Sequence, residues 1–227
     1  ILFRLVGSEM CIRDRQSAMP KYQLEKLKKQ FEEDGFVVLK NYLDVDQLDD
    51  LRNRAINLSS RLMKDQETKD KYHHVLKSLN RHDSWFDDEL KNGSHVEILE
   101  ALLGFKPNGV SAAWFDRPIG DDIGIEPHKD AYGSDKSEKV GATIWLSLDK
   151  ASRDNGCLSY LRGSHKKVYP DIIPIPGINK DSENTFFAEL NPGDAVVHSS
   201  SIVHWSEGNQ SLMPRRAVSY FYFGAKI

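Results

Sequence analysis

The feature that most limits the possible folds of this chain begins at Gly109. From that residue onward, short runs rich in β-branched and aromatic residues alternate with turns of Gly, Pro, Asp and Asn. Such spacing predicts an all-β barrel or sandwich. Between residues 140 and 148, Thr143, Trp145 and Ser147 share one face, because strand side chains alternate. The opposite face is apolar and consists of Ala142, Ile144, Leu146 and Leu148. We predict that the first face lines a polar and aromatic pocket and that the second packs under helices.

The first half of the chain carries helical periodicity instead. Apolar residues three and four positions apart predict a first helix that ends at Gly35. The pattern Asp44-x-x-Gln47 predicts a capping box at the start of a second helix. Ser94-x-x-Glu97 predicts the start of another helix in the same way. The helices together form a layer that precedes the β-rich part.

We expect one domain at residues 19–227, with a helical layer at 19–108 and a β core at 109–227. The polar segment at 64–90 is predicted to form a lid, on composition alone. Four histidines in the helical half lack the spacing of a metal site and are predicted to lie at the surface. They are His73, His74, His82 and His95.

Residues 1–18 are set apart from this organisation. The stretch from Ser8 to Arg15 resembles the translated adapter of a sequencing library, so we expect a non-native leader and a natural start at Met19. A targeting peptide is the alternative, but the apolar part is short and no basic region precedes it.

Composition excludes several classes of function. The 227 residues include 31 basic and 34 acidic ones with a net charge of −3, and no long Lys/Arg block occurs, so no nucleic-acid partner is expected. No apolar stretch approaches the roughly 20 residues of a membrane helix. With only two cysteines, Cys11 and Cys157, a disulfide framework is not expected, and we predict a reducing, cytoplasmic location.

The motif His128-Lys129-Asp130 carries the chemistry. On a strand, a histidine and a carboxylate two positions apart project to the same face and can bind one metal ion. A second histidine from a distant strand would complete the 2-His-1-carboxylate set of non-haem Fe(II) oxygenases, which leaves three positions open. Both His198 and His204 are candidates for that third ligand.

Several further segments resemble the phytanoyl-CoA dioxygenase family. They are residues 33–39, 141–149, 155–158, 162–166 and 193–197, then His204-x-Ser206-x-x-Asn209 and Arg215-Arg216-Ala217. The resemblance implies an α+β, mainly β fold: a double-stranded β-helix (jelly roll, cupin-like) with N-terminal helices packed on one sheet. It also implies Fe(II), 2-oxoglutarate as co-substrate, and O₂.

The resemblance implies roles for individual residues. It favours His204 over His198 as the third ligand beside His128 and Asp130, and leaves His198 as a hydrogen-bonded barrel residue. Arg215 would bind the distal carboxylate of 2-oxoglutarate, since its planar fork matches a carboxylate bidentately. A hairpin across residues 207–209 would carry it to the pocket, and Arg216 would point away.

Two further residues complete the predicted co-substrate pocket. Ser206 would bind the same carboxylate as Arg215. Trp145 matches a cofactor-pocket position of the family, although ordinary core packing explains it almost as well. Trp114, Asp116 and Arg117 are candidates to face the substrate on position alone.

The expected activity is hydroxylation of a small-molecule substrate with release of succinate and CO₂, because related halogenases lack a carboxylate where Asp130 stands. The first alternative is a non-catalytic metal-binding jelly roll that acts as a sensor or binding protein. The second is a zinc hydrolase with the same ligands, which would need a nearby general base. The prime substrate and the oligomeric state are left open.

Overall fold

The computed structural model describes residues 21–64, 75–131 and 139–225, so the predicted leader lies outside the described part of the chain. Within these ranges, ten strands form two sheets in which every neighbouring pair is antiparallel. The strands are β1 Phe36–Leu39, β2 Val75–Leu76, β3 Asn108–Arg117, β4 Ile125–His128, β5 Lys139–Ser147, β6 Leu158–Leu161, β7 Thr185–Ala188, β8 Ala195–Ser199, β9 His204–Ser206 and β10 Arg215–Ala225. The sheet orders are β1-β8-β5-β10-β3-β2 and β4-β9-β6-β7.

The described ranges also contain four α-helices: α1 Lys21–Asp34, α2 Val45–Leu62, α3 Ser84–Asn92 and α4 His95–Leu103. The capping box predicted at Asp44 and Gln47 is confirmed, because each side chain bonds the backbone of the other residue. Ser94 precedes α4 but makes no side-chain cap; its hydroxyl lies 2.9 Å from that of Tyr42. None of the helices in the described ranges is long and apolar enough to cross a membrane.

The helices cover the outer face of the six-stranded sheet. Ala142, Ile144, Leu146 and Leu148 share one buried cluster with apolar residues of α2 and α4. Trp145, on the other face of β5, belongs to a second cluster between the two sheets, together with Tyr160 of the smaller sheet. The predicted division of β5 into two faces is therefore confirmed, and so is the double-stranded β-helix with helices packed on one sheet.

The predicted lid is wrong for the part of residues 64–90 that the structure describes beyond residue 74. β2 pairs with β3, a 3₁₀ turn at Leu79–Arg81 follows, and α3 packs beside them. The apolar residues of this segment are buried in the main core: Leu76, Leu79, Phe86 and Leu90. Four separated apolar side chains hold the segment on the sheet despite its polar composition. Residues 65–74 lie outside the described chain.

His95 is another departure from the sequence expectation. It is 2 % exposed, its Nε2 lies 2.7 Å from the Tyr222 hydroxyl, and its ring stacks on Tyr220. The buried imidazole is tolerated here because the Tyr222 hydroxyl is a hydrogen-bond partner for its Nε2. His82 is exposed as predicted, while residues 73 and 74 lie outside the described ranges.

Candidate metal centre and anion pocket

Two histidines face each other across neighbouring strands. His128 is the last residue of β4 and pairs directly with His204, the first residue of β9. Directly opposed residues of an antiparallel pair point to the same side of the sheet. The two ring centroids are accordingly 4.2 Å apart. Strand pairing alone brings these two imidazoles together from distant parts of the sequence.

Asp130 reaches the same point from a turn rather than from a strand. β4 ends at His128, so the argument that both side chains share one strand face does not hold for the aspartate. The turn is fixed by the Ala131 N–H, which donates to the Ser200 carbonyl at 2.8 Å. Asp130 Oδ1 then lies 3.9 Å from His128 Nε2 and 3.7 Å from His204 Nε2.

The arrangement of hydrogen bonds suits a metal ion. His128 Nδ1 lies 2.7 Å from the Glu126 carbonyl, and His204 Nδ1 lies 3.1 Å from the Ile202 carbonyl. A carbonyl only accepts, so each Nδ1 carries the proton and each Nε2 presents a lone pair. One potential ligand atom from each of His128, Asp130 and His204 lies within 4.8 Å of the other two. This donor set fits Fe(II) with three open positions.

The protonation states of these three side chains also favour metal binding. Burial lowers the pKa of His128 and of His204 to about 4, so both rings are neutral near pH 7. Burial would raise the pKa of Asp130, but His204, the hydrogen bond from His198 and the nearby His128 outweigh it and hold that pKa far below its usual range. The three groups are therefore already in the states in which they bind a metal.

His198 occupies a different position from the three. Its Nε2 lies 3.2 Å from the second carboxylate oxygen of Asp130, Oδ2, and its Nδ1 lies 2.8 Å from the Tyr160 hydroxyl. Thr143 donates to the same Oδ2 at 2.8 Å. Of the two histidines that the sequence offers as the remaining ligand, His198 thus contacts Oδ2 of Asp130, while His204 lies on the side of Oδ1.

A second buried group of polar side chains surrounds Arg215, the first residue of β10. Arg215 is 2 % exposed, and its Nε has no hydrogen-bond partner among the described residues. Its guanidinium carbon lies 5.5 Å from the centre of the Trp145 ring, whose own Nε1 is also unpartnered there. Burial, and after it the charge of Arg117, lower the pKa of Arg215 to about 9, so it stays charged at pH 7.

Arg117, which the sequence indicated only as a candidate to face the substrate, also belongs to this buried group. It pairs directly with Arg215 across β3 and β10 and is 3 % exposed. Its Nη2 donates to Ser206 Oγ at 3.1 Å, and its Nη1 lies 3.6 Å from Asp121 Oδ2. Two buried guanidinium groups, one of them bonded to a buried serine, form a positively charged cluster, here called the anion pocket, that favours a carboxylate ligand.

The predicted hairpin between β9 and β10 is wrong, because these strands belong to different sheets. The connection crosses the sandwich and is fastened by Asn209, whose amide donates to the carbonyls of Arg117, Pro118 and Met213. Arg215 therefore reaches the pocket by strand pairing with β3 and β5.

The neighbouring candidates divide between the two sides of the sheet. Trp114 does not face the pocket, since it packs in the cluster beneath the helices. Arg216 points away as expected and forms a bidentate pair with Asp149 at 2.7 and 3.0 Å. The facing of each residue follows from strand alternation.

These features define a class: a double-stranded β-helix with two histidines and one aspartate grouped at one site and a buried arginine pocket nearby. The family model for phytanoyl-CoA dioxygenase (PhyH) matches residues 31–217, and the chain belongs to that family. The resemblance stated from the sequence motifs is thereby confirmed.

Relatives of known name agree with this membership. Phytanoyl-CoA dioxygenase 1 of Oryza sativa subsp. japonica is 28% identical over 137 residues, 56% of this chain and 49% of the relative. Dioxygenase olcK of Penicillium canescens is 24% identical over 209 residues, 82% of this chain and 66% of the relative. The chain spans about half the length of the rice protein it matches.

Solved structures share the fold. The epimerase SnoN in complex with Fe3+, alpha ketoglutarate and nogalamycin RO has a TM-score of 0.73 at 18% identity, over 91% of this chain and 87% of that one. EvdO2 from Micromonospora carbonacea var. aurantiaca, complexed with 2-oxoglutarate, has a TM-score of 0.69 at 19% identity, over 88% and 90%. At such identities the likeness concerns the architecture alone.

Proposed function

We propose that this chain is an Fe(II)- and 2-oxoglutarate-dependent dioxygenase that hydroxylates a small molecule and releases succinate and CO₂. The observation that carries the proposal is the combination of the three grouped ligand atoms with the buried, charge-rich anion pocket. A metal site alone would fit many functions. A buried pair of arginines near that site favours a bound anion, because two buried positive charges are costly and Asp121, 3.6 Å from Arg117, offsets only part of them.

The spacing of the two sites supports 2-oxoglutarate as the anion. Thr143, which bonds Asp130, and Trp145, which lies beside Arg215, are two residues apart on the same face of β5. Two residues of a strand span about 7 Å. A five-carbon diacid has four carbon–carbon bonds and spans about 5 Å between its end carbons. One end can therefore reach the metal site while the other binds in the anion pocket.

The side chains then have distinct tasks. His128, Asp130 and His204 would hold Fe(II), and Arg215 would bind the distal carboxylate with Ser206, beside the Trp145 ring. Arg117 donates to Ser206 Oγ, which leaves the serine proton free to point at the carboxylate. Bound iron, with O₂ and the keto acid, would supply the oxidation of a C–H bond, for which the protein contributes geometry and a dry pocket.

Asp130 bears on the type of reaction. It fills the third protein ligand position with a carboxylate, so no such position is left for a halide, and we infer hydroxylation rather than halogenation. For the substrate we propose only a small organic molecule. The structurally similar SnoN was crystallised with nogalamycin RO, which makes natural-product scaffolds a sensible first group to screen.

Two measurements test the proposal. Anaerobic addition of Fe(II) and 2-oxoglutarate should produce a metal-to-ligand charge-transfer absorption, and admission of O₂ should form succinate, faster with a true substrate. Metal binding without this absorption and without succinate would contradict the oxygenase assignment and favour the non-catalytic sensor. Hydrolytic activity of a zinc-loaded protein without keto acid would favour the hydrolase.

A further inference from the structure

A buried hydrogen-bonded pair links the two sheets directly behind Asp130. Tyr160 on β6 belongs to the four-stranded sheet, and His198 on β8 belongs to the six-stranded sheet. The Tyr160 hydroxyl lies 2.8 Å from His198 Nδ1, and the ring of Tyr160 stacks on Phe36 at 4.7 Å. Tyr160 is 0 % exposed and His198 is 2 % exposed. The pair is therefore fixed in place and shielded from water.

The direction of each hydrogen bond follows from the carboxylate at its end. An ionised carboxylate only accepts, so His198 donates from Nε2 to Asp130 Oδ2 at 3.2 Å. The Tyr160 hydroxyl retains its proton because burial raises its pKa, and it lies within donating distance of His198 Nδ1. Thr143 lies directly opposite His198 across β5 and β8 and donates to the same Oδ2.

We infer that Tyr160 and His198 are positioning residues for the iron ligand Asp130: they hold Oδ2 so that only Oδ1 faces the two ligand imidazoles. The inference rests on the proposed iron centre. With Oδ2 occupied by two donors, Asp130 has one oxygen left for a metal. A carboxylate free to turn could instead offer both oxygens and fill a position that the keto acid or O₂ requires. Hydrogen-bonded partners of metal ligands orient them in this way.

The pair also ties together the parts of the site. His128 and His204 sit on the four-stranded sheet, whereas Thr143 and His198, which hold Asp130, sit on the six-stranded sheet. Tyr160 is the cross-strand partner of His204. Its bond to His198 therefore connects the sheet that carries the two ligand histidines with the residue that holds Asp130. A change at Tyr160 should thus alter metal binding without removing any ligand.

The chain contains a matched pair for comparison. His95 and Tyr222 form another buried imidazole–hydroxyl contact, at 2.7 Å, beneath the helices and with no described contact to the ligand residues. Tyr222→Phe therefore removes a buried hydroxyl bonded to a histidine, as Tyr160→Phe does. The two variants separate loss of a buried hydrogen bond from loss of support for Asp130.

The experiment measures metal binding by wild type, Tyr160→Phe, His198→Leu, His198→Gln and Tyr222→Phe. Each is titrated anaerobically with Fe(II), and with Co(II) monitored by its d–d absorption, alongside urea unfolding of the metal-free protein. We expect Tyr160→Phe and His198→Leu to bind about 10-fold to 100-fold more weakly and with an altered Co(II) spectrum. His198→Gln should recover most of the affinity, because its amide can donate to Oδ2. Tyr222→Phe should bind like wild type.

Metal affinities of Tyr160→Phe and His198→Leu within about twofold of wild type would overturn the inference, since the expected loss is at least tenfold. So would a His198→Gln protein as weak as His198→Leu. If His198→Leu fails to fold, Tyr160→Phe and His198→Gln decide. Failure of the iron centre itself looks different: wild type would not bind Co(II), or His128→Ala would bind as well as wild type, and the positioning role would fall with it.

Discussion

Arg215 and Arg117 stand directly opposite each other on β10 and β3, and both are almost wholly buried. Opposed like charges on one face of a sheet repel, and burial increases the repulsion. Asp121 lies 3.6 Å from Arg117 and offsets part of this charge. A dianionic small molecule bound between the three metal-binding residues and the two arginines would explain the arrangement, because it would supply the missing negative charge.

Replacing Arg215 with alanine should weaken 2-oxoglutarate binding by at least about 30-fold, since removing one partner of a buried charge pair costs about 2–5 kcal/mol. Calorimetry with the anaerobic Fe(II) protein measures it. Arg216→Ala is the matched control, because Arg216 pairs with Asp149 on the other side of the strand. Equal affinity in Arg215→Ala and wild type would remove the assigned role.

Arg117 and Ser206 should act as one unit. Arg117→Lys keeps the charge but loses the planar fork that reaches both Ser206 and Asp121, and we expect about tenfold weaker 2-oxoglutarate binding. Ser206→Ala should weaken it comparably. In the double variant the losses should fall short of additive by at least about 0.5 kcal/mol. Fully additive losses would show that the serine binds the keto acid without help from Arg117.

Metal binding should stabilise the folded protein. Co(II) at about 100 times its dissociation constant should raise the free energy of unfolding by about 2.7 kcal/mol, because the metal binds the folded state. His204→Ala and Asp130→Ala remove ligand atoms and should abolish this increase at the same concentration. The test is urea unfolding with and without Co(II). An undiminished increase in either variant would place the metal elsewhere.

Part of this architecture is readable from the sequence because it depends on local rules. Alternation along β5 separates Trp145 from Ile144, and the capping box at Asp44 depends on residues three positions apart. The order of short β-rich runs after a helical half was enough, with the family motifs, to predict the double-stranded β-helix.

The sequence alone does not show which residues are brought together by pairing between distant strands. His128 meets His204 through the register of β4 and β9, and Asp130 joins them from a turn whose geometry depends on Ser200. The sequence places both His198 and His204 in β-rich runs. Only the fold shows that His198 contacts one carboxylate oxygen of Asp130 and that His204 lies nearer the other. The crossing of the chain between sheets before Arg215 is likewise a property of the assembled sandwich.

His95 makes stability depend on pH in a predictable direction. Burial lowers its pKa from 6.5 to about 3 in the folded protein, whereas the unfolded chain takes up the proton near pH 6.5. Stability from this residue is therefore complete above about pH 6.5, declines as the pH falls, and levels off below about pH 3. Between pH 7 and pH 5 the loss should be about 2 kcal/mol. The measurement is urea unfolding of the metal-free protein at both values.

His95→Gln should remove this share of the pH dependence, because glutamine does not titrate yet its amide can donate to the Tyr222 hydroxyl, which itself donates to the Leu90 carbonyl. The variant should be less stable than wild type at pH 7, since it loses the stacking on Tyr220, but should lose about 2 kcal/mol less on going to pH 5. His82→Gln, the same change at an exposed histidine, is the matched control. A decline in His95→Gln as steep as that of wild type would mean that His95 is protonated as readily in the folded protein as in the unfolded chain.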